Sequence, residues 1–448
     1  MNALAVIGNA ARCGVRKILR LYYPRIEVEG RERVPRTGAV LFVANHPNSL
    51  VDPAVIGYAA QRPVHFFAKA PLFDVPVFGA LMSALGMVPA YRGQDDKASV
   101  RKNLETLDAG AAYLKRGEAV GIFPEGKSHD REGVEQVRTG AARIAASAAH
   151  GGADFVIVPL GLNYERKERF RSSVWVRVGE PLDAGKIFRE HAGEERKAMR
   201  QLTEEMDLRL KQLVVHLAED RWQPMLDELE SLLPAGEEEA RDPIAALRQR
   251  KRLADAINYF LTTDRPRAEE MTAAIERHRG ELAAVGLTMD SPSVRLNGAR
   301  LAWKLTKETL WLLPGLLPAM AGTLHHLVPF LVTRGLVRLV KYPGRTTIAQ
   351  NRLMIGLPIY GIWYAAVWWW IATHHAVWIA WLWTALMPLA GIEALHYAWR
   401  MRRAGRAWWS EIKMFVNRAE LLRLRGQQAG LRRQLEKLRA EYLASRPV

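Results

Sequence analysis

Cysteine is all but absent: Cys13 is the one thiol in 448 residues. A single thiol builds neither an intramolecular disulfide nor a cysteine-based metal site, which suits a reducing compartment. Acidic residues are in deficit, 47 Asp and Glu against 64 Lys and Arg, so the formal charge is +17. That balance favours an anionic partner: nucleic acid, an anionic membrane surface or a phosphorylated substrate. Zinc-ligand spacing and RNA-binding aromatic motifs are both missing, so no nucleic-acid partner and no metal are expected. The first 23 residues lack a continuous apolar stretch, because Arg12, Arg16, Lys17 and Arg20 interrupt them, and this argues against a cleaved signal peptide. Leu4, Ile7, Val15, Ile18 and Leu19 instead outline an amphipathic basic helix over 1–24. Such a helix lies on a membrane or packs on its own domain.

What is present is a core's worth of apolar residues, 49% of the chain, which excludes global disorder. From 25 to 215, short apolar runs alternate with helical stretches. The runs are "AVLFVAN" (39–45), "VHFFA" (64–68), "MVPAY" (87–91), "AVGIFP" (119–124), "FVIVPLGL" (155–162) and "SVWVRVG" (173–179). Alternation of this kind predicts an α/β domain with a largely parallel sheet. Residues 216–305 read as a helical segment, interrupted by the acidic linker "LLPAGEEEARDP" (232–243).

Then charge disappears. Residues 353–372 are 20 in a row without one, long enough for about 30 Å of helix. A second apolar stretch, 376–395, has no charge before Glu393. Ten of the 14 tryptophans fall between 363 and 409, as expected of membrane helices and their interfaces. Arg334, Arg338, Lys341, Arg345 and Arg352 precede the pair, Arg400, Arg402, Arg403 and Arg406 follow it, and the turn between has no Lys or Arg. The sequence therefore predicts a C-terminal transmembrane helical hairpin within a membrane region 306–398, with both flanks and the α/β domain on the cytoplasmic face. The apolar run 310–332 carries Pro314, Pro318, Pro329, His325 and His326 and is expected to be re-entrant or interfacial. His325–His326 and His374–His375 are expected at interfacial positions, not as metal ligands. The basic tail, 399–448, has Leu431, Leu435, Leu438 and Tyr442 at a/d spacing, as in a short coiled coil or a packed helix.

Chemistry is concentrated where the apolar runs end. "NHPNSLVDP" (45–53) follows the first run, and Asp52 before Pro53 reads as a helix N-cap. Strand ends of an open parallel sheet are also where ligands bind. A histidine there, with a carboxylate on the next helix, has the ingredients of a general base and its orienter. "GMVPAYRG" (86–93) adds Arg92, a permanent cation suited to phosphate. "GIFPEGKSHD" (121–130) adds Glu125, Gly126 and Lys127, with Gly126 permitting a tight turn. A third strand is expected to end at Pro159. Ser128, His129 and Asp130 are consecutive and point different ways, so they form no relay; the role of His129 stays open.

"NH…D", "G…R", "FPEG" and "VP", in this order, resemble the four motif blocks of the glycerolipid acyltransferases, over about residues 25–185. "KAPLF" (69–73) and "VGEPL" (178–182) are similar to that family too. Five residues separate His46 from Asp52 where the family has four, and "KSHD" stands in place of the usual continuation "TRS". Both departures resemble the branch typified by fungal glycerol-3-phosphate/dihydroxyacetone-phosphate acyltransferases. The resemblance implies an acyltransferase-type catalytic domain and an enzyme moving a fatty acyl group from acyl-CoA or acyl-carrier protein to glycerol 3-phosphate. A 1-acylglycerol 3-phosphate or another lysolipid is the alternative acceptor, and a non-catalytic anionic-lipid or nucleic-acid scaffold is the alternative from another class. It further implies His46 and Asp52 as the catalytic pair and Arg92, with Lys127, on the acceptor phosphate. Glu125 and Gly126 would then sit at the acceptor, with Pro159 shaping the thioester site. No cofactor is called for, and a homo-oligomer is compatible with the reading.

Overall fold

The computed structural model describes residues 3–75, 78–90, 97–233, 242–289, 298–340 and 344–445. Its contacts divide the chain into two units. The first takes in Met1–Ala218, Ala235–Asp255 and Gly344–Gln350, and the second Glu219–Pro234, Ala256–Pro343 and Asn351–Val448.

The first unit is built on seven strands: β1 (Arg25–Glu29), β2 (Ala39–Ala44), β3 (His65–Lys69), β4 (Val88–Ala90), β5 (Ala119–Ile122), β6 (Phe155–Tyr164) and β7 (Ser173–Val178). They lie in the order β1-β7-β6-β2-β5-β3-β4. Every pairing is parallel except β6 with β7. β2, at the centre, is apolar and buried throughout, as a parallel strand covered on both faces must be. Its alternate residues Ala39, Leu41 and Val43 pack with helices α4 (Lys97–Lys115), α5 (Gly140–His150) and α7 (Glu195–Leu213), through Leu114, Ile144, Leu202 and Met206. Helix α6 (Ala184–Glu190) packs beside α5 and α7.

Helix α1 (Ala3–Tyr22) packs against α2 (Val51–Ala60) and α3 (Phe78–Ala84), and a Cβ on Gly8 would lie 2.7 Å from the carbonyl of Ala84. Of the two readings left open for this helix, packing on its own domain holds for the Leu19–Tyr23 end, while Val6 and Ile7 stay exposed. Strand β1 has no counterpart among the expected runs. Its sequence, Arg-Ile-Glu-Val-Glu, spends alternate positions on charge, and those charges pair with Asp242, Arg248 and Arg177 at the sheet edge.

Proline does not end β6. Pro159 lies in register with Val43 of β2, and the strand continues to Tyr164. Proline removes one donor but keeps its acceptor, and the Pro159 carbonyl takes the N–H of Gly179 at 2.9 Å where the β7 pairing begins.

The second unit is helical among the described residues. α8 (Gln223–Leu232), the later part of α9 (Pro243–Thr263), α10 (Arg265–Ala284) and α14 (Arg418–Ala444) bury Leu226, Phe260, Ile275, Leu435 and Leu438. α14 packs against α10, with Arg267 paired to Glu441 at 2.8 Å, so the tail is a packed helix. Three helices follow α10 before α14: α11 (Gly298–Leu339), α12 (Arg345–His374) and α13 (Val377–Val416). Pro314–Leu339, Arg345–His374 and Val377–Gly405 within them are long and apolar enough to cross a membrane, with mean hydropathy of 1.4, 1.3 and 1.4. Their outward apolar residues, Leu317, Ile362 and Trp378 among them, are exposed on a surface suited to lipid.

The run 310–332 is one continuous helix through Pro314, Pro318 and Pro329, so a third apolar helix precedes the expected pair, α12 and α13. Prolines are tolerated in apolar helices because neighbouring helices and local adjustments satisfy the freed backbone groups. His325 and His326 pack among the rings of the apolar helices. His325 sits among the rings of His326, Trp363, Tyr364 and Trp383, and His326 Nε2 lies 2.8 Å from the Tyr364 hydroxyl. α11 and α13 meet through glycine: a Cβ on Gly322 would run into the carbonyl of Ala390, and one on Gly391 into the His326 ring.

Candidate active site

Parallel pairing brings the ends of β2, β5 and β6 to one edge of the sheet. β2 delivers Asn45 and His46. The Asn45 side chain extends the ladder by accepting from Leu162 N (2.8 Å) and donating to Leu162 O (3.1 Å). That leaves His46 at a fixed height above the edge. Its ring stacks on Phe123, which follows β5, with centroids 3.9 Å apart and planes 9° from parallel.

The chain then turns through Asn48–Ser49–Leu50 into α2. Ser49 adopts φ 44°, the left-handed region that a short polar side chain tolerates. This turn accommodates the five-residue spacing. Asp52 is not the N-cap: α2 begins at Val51, and the residue before it, Leu50, makes no side-chain cap. The Asp52 side chain is spent elsewhere. Its Oδ2 accepts from His46 Nδ1 at 2.8 Å and from the Asn48 N–H at 2.7 Å, and its Oδ1 accepts from the Tyr164 hydroxyl at 2.6 Å. Asp52 is fully buried, whereas the His46 side chain keeps 18% of its surface. With Nδ1 bound to a carboxylate, Nδ1 carries the proton and Nε2 the lone pair. Nε2 has no protein partner among the described residues, which is the arrangement a general base needs.

Glu125 lies beneath this turn. It is buried, and protein donors engage both oxygens: His46 N–H on Oε2 at 2.7 Å, and His129 Nε2 and the Glu135 N–H on Oε1 at 2.9 Å each. His129 N–H also donates to the His46 carbonyl at 3.2 Å. The open question about His129 is thereby answered: it is a buried brace between the "FPEG" turn and the His46 turn. Asp130 diverges from it and pairs with Lys167 at 3.0 Å. Gly126 takes φ 74° to close the turn, its N–H reaching the Phe123 carbonyl at 3.0 Å.

Lys127 is paired with Glu135 at 2.9 Å. Burial alone would raise the Glu135 carboxyl, but Lys127, His129 and Arg131 outweigh it and hold the group below the usual range. Arg92 lies outside the described residues. Arg138, which the sequence reading passed over, packs within 3.6 Å of where a Gly126 Cβ would stand, and its guanidinium has no acidic partner among the described residues. Pro159 is buried in mid-strand, beside Val43 of β2.

Two tyrosines were also missed. Besides Tyr164, Tyr23 accepts from Asn48 Nδ2 at 2.8 Å and donates to the Lys167 carbonyl. Burial raises both hydroxyls above the ordinary tyrosine value, followed by the nearby charge of Asp52 for Tyr164 and by Tyr22 for Tyr23. The one cue available in sequence was the polar end "NYE" of an otherwise apolar run. The segment Gly344–Gln350 closes this region: Ser49 donates to Gln350 at 2.9 Å, and Arg345 lies 3.4 Å from Glu168 and 3.7 Å from Asp130.

The family described as Acyltransferase matches residues 25–163. The glycerol-3-phosphate O-acyltransferase 2 of Saccharomyces cerevisiae is 39% identical over 82 residues, which is 18% of this chain and 11% of the yeast protein. The chloroplastic 1-acyl-sn-glycerol-3-phosphate acyltransferase of Arabidopsis thaliana is 27% identical over 143 residues, covering 31% of this chain and 37% of the plant protein. Among solved structures, the 1-acyl-sn-glycerophosphate acyltransferase of Thermotoga maritima is similar at 22% identity, with 46% of this chain and 79% of that one covered and a TM-score of 0.35. The chain thus spans about a tenth of the yeast relative and just over a third of the plant one. Residues 25–163, which hold the His46–Asp52 pair, match the Acyltransferase family and are similar to glycerol-3-phosphate and 1-acyl-sn-glycerol-3-phosphate acyltransferases.

Proposed function

We propose that this protein is a membrane-anchored O-acyltransferase that moves a fatty acyl group from acyl-CoA or acyl-carrier protein to a hydroxyl of glycerol 3-phosphate. The observation that carries this reading is the 2.8 Å contact between His46 Nδ1 and the buried Asp52, with Nε2 left for a substrate proton. The acceptor hydroxyl gives its proton to Nε2 as its oxygen attacks the thioester carbonyl. Asp52 stabilises the imidazolium so formed. The C–S bond of the tetrahedral intermediate then breaks, and the departing thiolate takes the proton from His46. No acyl-enzyme forms. General-base assistance of this kind contributes roughly 10²–10⁴ in rate.

Arg92 grips the acceptor phosphate, assisted by Lys127 and by Arg138 beside Gly126. Glu125 works from below: it holds the His46 turn at the height the attack requires. Pro159 supports the thioester site from within β6. 1-Acylglycerol 3-phosphate is the second acceptor reading, favoured by the likeness to the Arabidopsis protein. The catalytic domain faces the cytoplasm. Basic residues flank the apolar helices α12 and α13, and the flank that contains Arg345 folds with the first unit.

The test is transfer from labelled palmitoyl-CoA by the detergent-purified protein, with His46→Ala alongside. Transfer to glycerol 3-phosphate that disappears in the variant is the expected result. Transfer to the lysolipid alone keeps the mechanism and changes the acceptor. Full activity of His46→Ala would refute the base assignment.

A further inference from the structure

Asp52 is held by more than the histidine it orients. His46 Nδ1 and the Asn48 N–H both donate to Oδ2, so these two bonds alone would leave Oδ1 a buried, charged acceptor without a partner. The donor that reaches Oδ1 is the Tyr164 hydroxyl, at 2.6 Å. Tyr164 is the last residue of β6 and pairs with Val174 of β7, so its backbone is part of the sheet. Its ring packs against Tyr23, centroids 5.6 Å apart, and Tyr23 in turn accepts from Asn48 Nδ2. The His46–Asp52 turn is therefore braced twice, by Glu125 under the His46 N–H and by the tyrosine pair on the Asp52 and Asn48 side chains.

We infer that Tyr164 is a positioning residue of the acyl-transfer centre, whose hydroxyl fixes the rotation of the Asp52 carboxylate and, through it, the plane and tautomer of His46. The inference rests on His46 acting as the base. Both carboxylate oxygens must be satisfied for one orientation to prevail in a site closed to water. A tyrosine suits the task because it stays a donor across the working pH range: burial and the Asp52 charge hold its hydroxyl protonated well past its ordinary value. The titratable groups facing Asp52 are His46 from the β2–α2 turn, Tyr164 from β6 and Tyr23 after α1. Glu125 stands behind the His46 N–H, and Glu168 with Lys167 stands beyond Tyr23. No Lys or Arg touches the carboxylate among the described residues.

The test compares full-length wild type, Tyr164→Phe, Tyr22→Phe and His46→Ala in acyl transfer from palmitoyl-CoA, each normalised to folded protein, across pH. Tyr164→Phe removes one bond to a charged acceptor, so kcat is expected to fall about 10–100-fold while KM for the acceptor changes less than about twofold. The uncompensated carboxylate also favours the imidazolium, so the acid limb of the kcat/KM profile is expected to move to higher pH. Tyr22 supplies the structural control. It is buried and donates to the Glu168 carbonyl at 3.0 Å, away from Asp52. Tyr22→Phe is expected to lower thermal stability and leave the acid limb in place. Should Tyr164→Phe fail to fold, 3-fluorotyrosine at 164 keeps the shape and strengthens the donor, and the limb is expected to move to lower pH. An unmoved limb with unchanged kcat in the Tyr164 variants, or the same shift in Tyr22→Phe, overturns the inference while leaving an inactive His46→Ala variant as support for the base. Retained transfer by His46→Ala takes down the base reading and this inference with it.

Discussion

Replacing Glu125 by glutamine is the sharpest probe of how the site is held. The change keeps size and removes one acceptor. In the native turn, Oε2 receives the His46 N–H, and Oε1 receives His129 Nε2 and the Glu135 N–H. His129 can change tautomer, but the two backbone N–H groups cannot. Whichever way the amide is placed, its NH₂ faces one of them. Losing a bond to a charged acceptor and orphaning a buried donor costs about 2 kcal/mol, or roughly 30-fold in the local opening equilibrium. Hydrogen exchange followed by mass spectrometry on the purified protein reads this directly. The peptide covering 44–51 should exchange roughly 10–100-fold faster in Glu125→Gln, with β7 peptides unchanged. In acyl transfer, kcat should fall with little change in KM for the acceptor, because the base is displaced and the acceptor's own contacts are kept. Native-like exchange over 44–51 together with a raised acceptor KM would refute this reasoning and put Glu125 in direct contact with the substrate.

Asp52→Asn should lower kcat by roughly 10²–10⁴, since an amide facing Nδ1 favours the wrong imidazole tautomer; steady-state kinetics with KM for the donor near wild type checks it. Tyr23 and Tyr164 have folded-state values raised above the ordinary tyrosine value of about 10, so their stabilisation is complete below that pH and is lost as pH climbs through the folded values. Absorbance titration of the native protein should show both resisting ionisation until unfolding, and early ionisation of either would contradict the burial described. Gly322→Val forces a side chain into the Ala390 carbonyl and should separate α11 from α13, lowering the thermal stability of the detergent-purified protein by several degrees. A melting temperature equal to wild type would mean that the helices do not meet there.

Much of the sheet was legible because its strands are parallel and buried on both faces. Such strands are nearly continuous apolar runs, and each of the six runs overlaps an observed strand, β3 and β6 reaching one and two residues further. β1 escaped because an edge strand can spend alternate positions on charge, and Arg25, Glu27 and Glu29 hid its two apolar residues. The break assigned to Pro159 was a local rule applied without its neighbours; the N–H that proline lacks matters only where a partner carbonyl waits for it. The same holds for α11, whose prolines read as interruptions in one dimension and are accommodated in a helix packed against another.

By itself, the sequence determined which polar residues meet at the end of β2. His46 and Asp52 are six positions apart across one turn, close enough that their pairing follows from local geometry. It also determined the apolar C-terminal region, since length and absence of charge are properties of a segment and need no partner. The tertiary structure alone decided what orients that pair. Tyr164 lies 112 residues beyond Asp52, and Glu125 lies 79 beyond His46. Both arrive only because β2 is flanked by β5 and β6 in parallel register, a matter of which strands lie side by side. Hydrogen bonds act over about 3 Å of space whatever the separation along the chain, so partners contributed by different strands leave no periodicity for a sequence to carry.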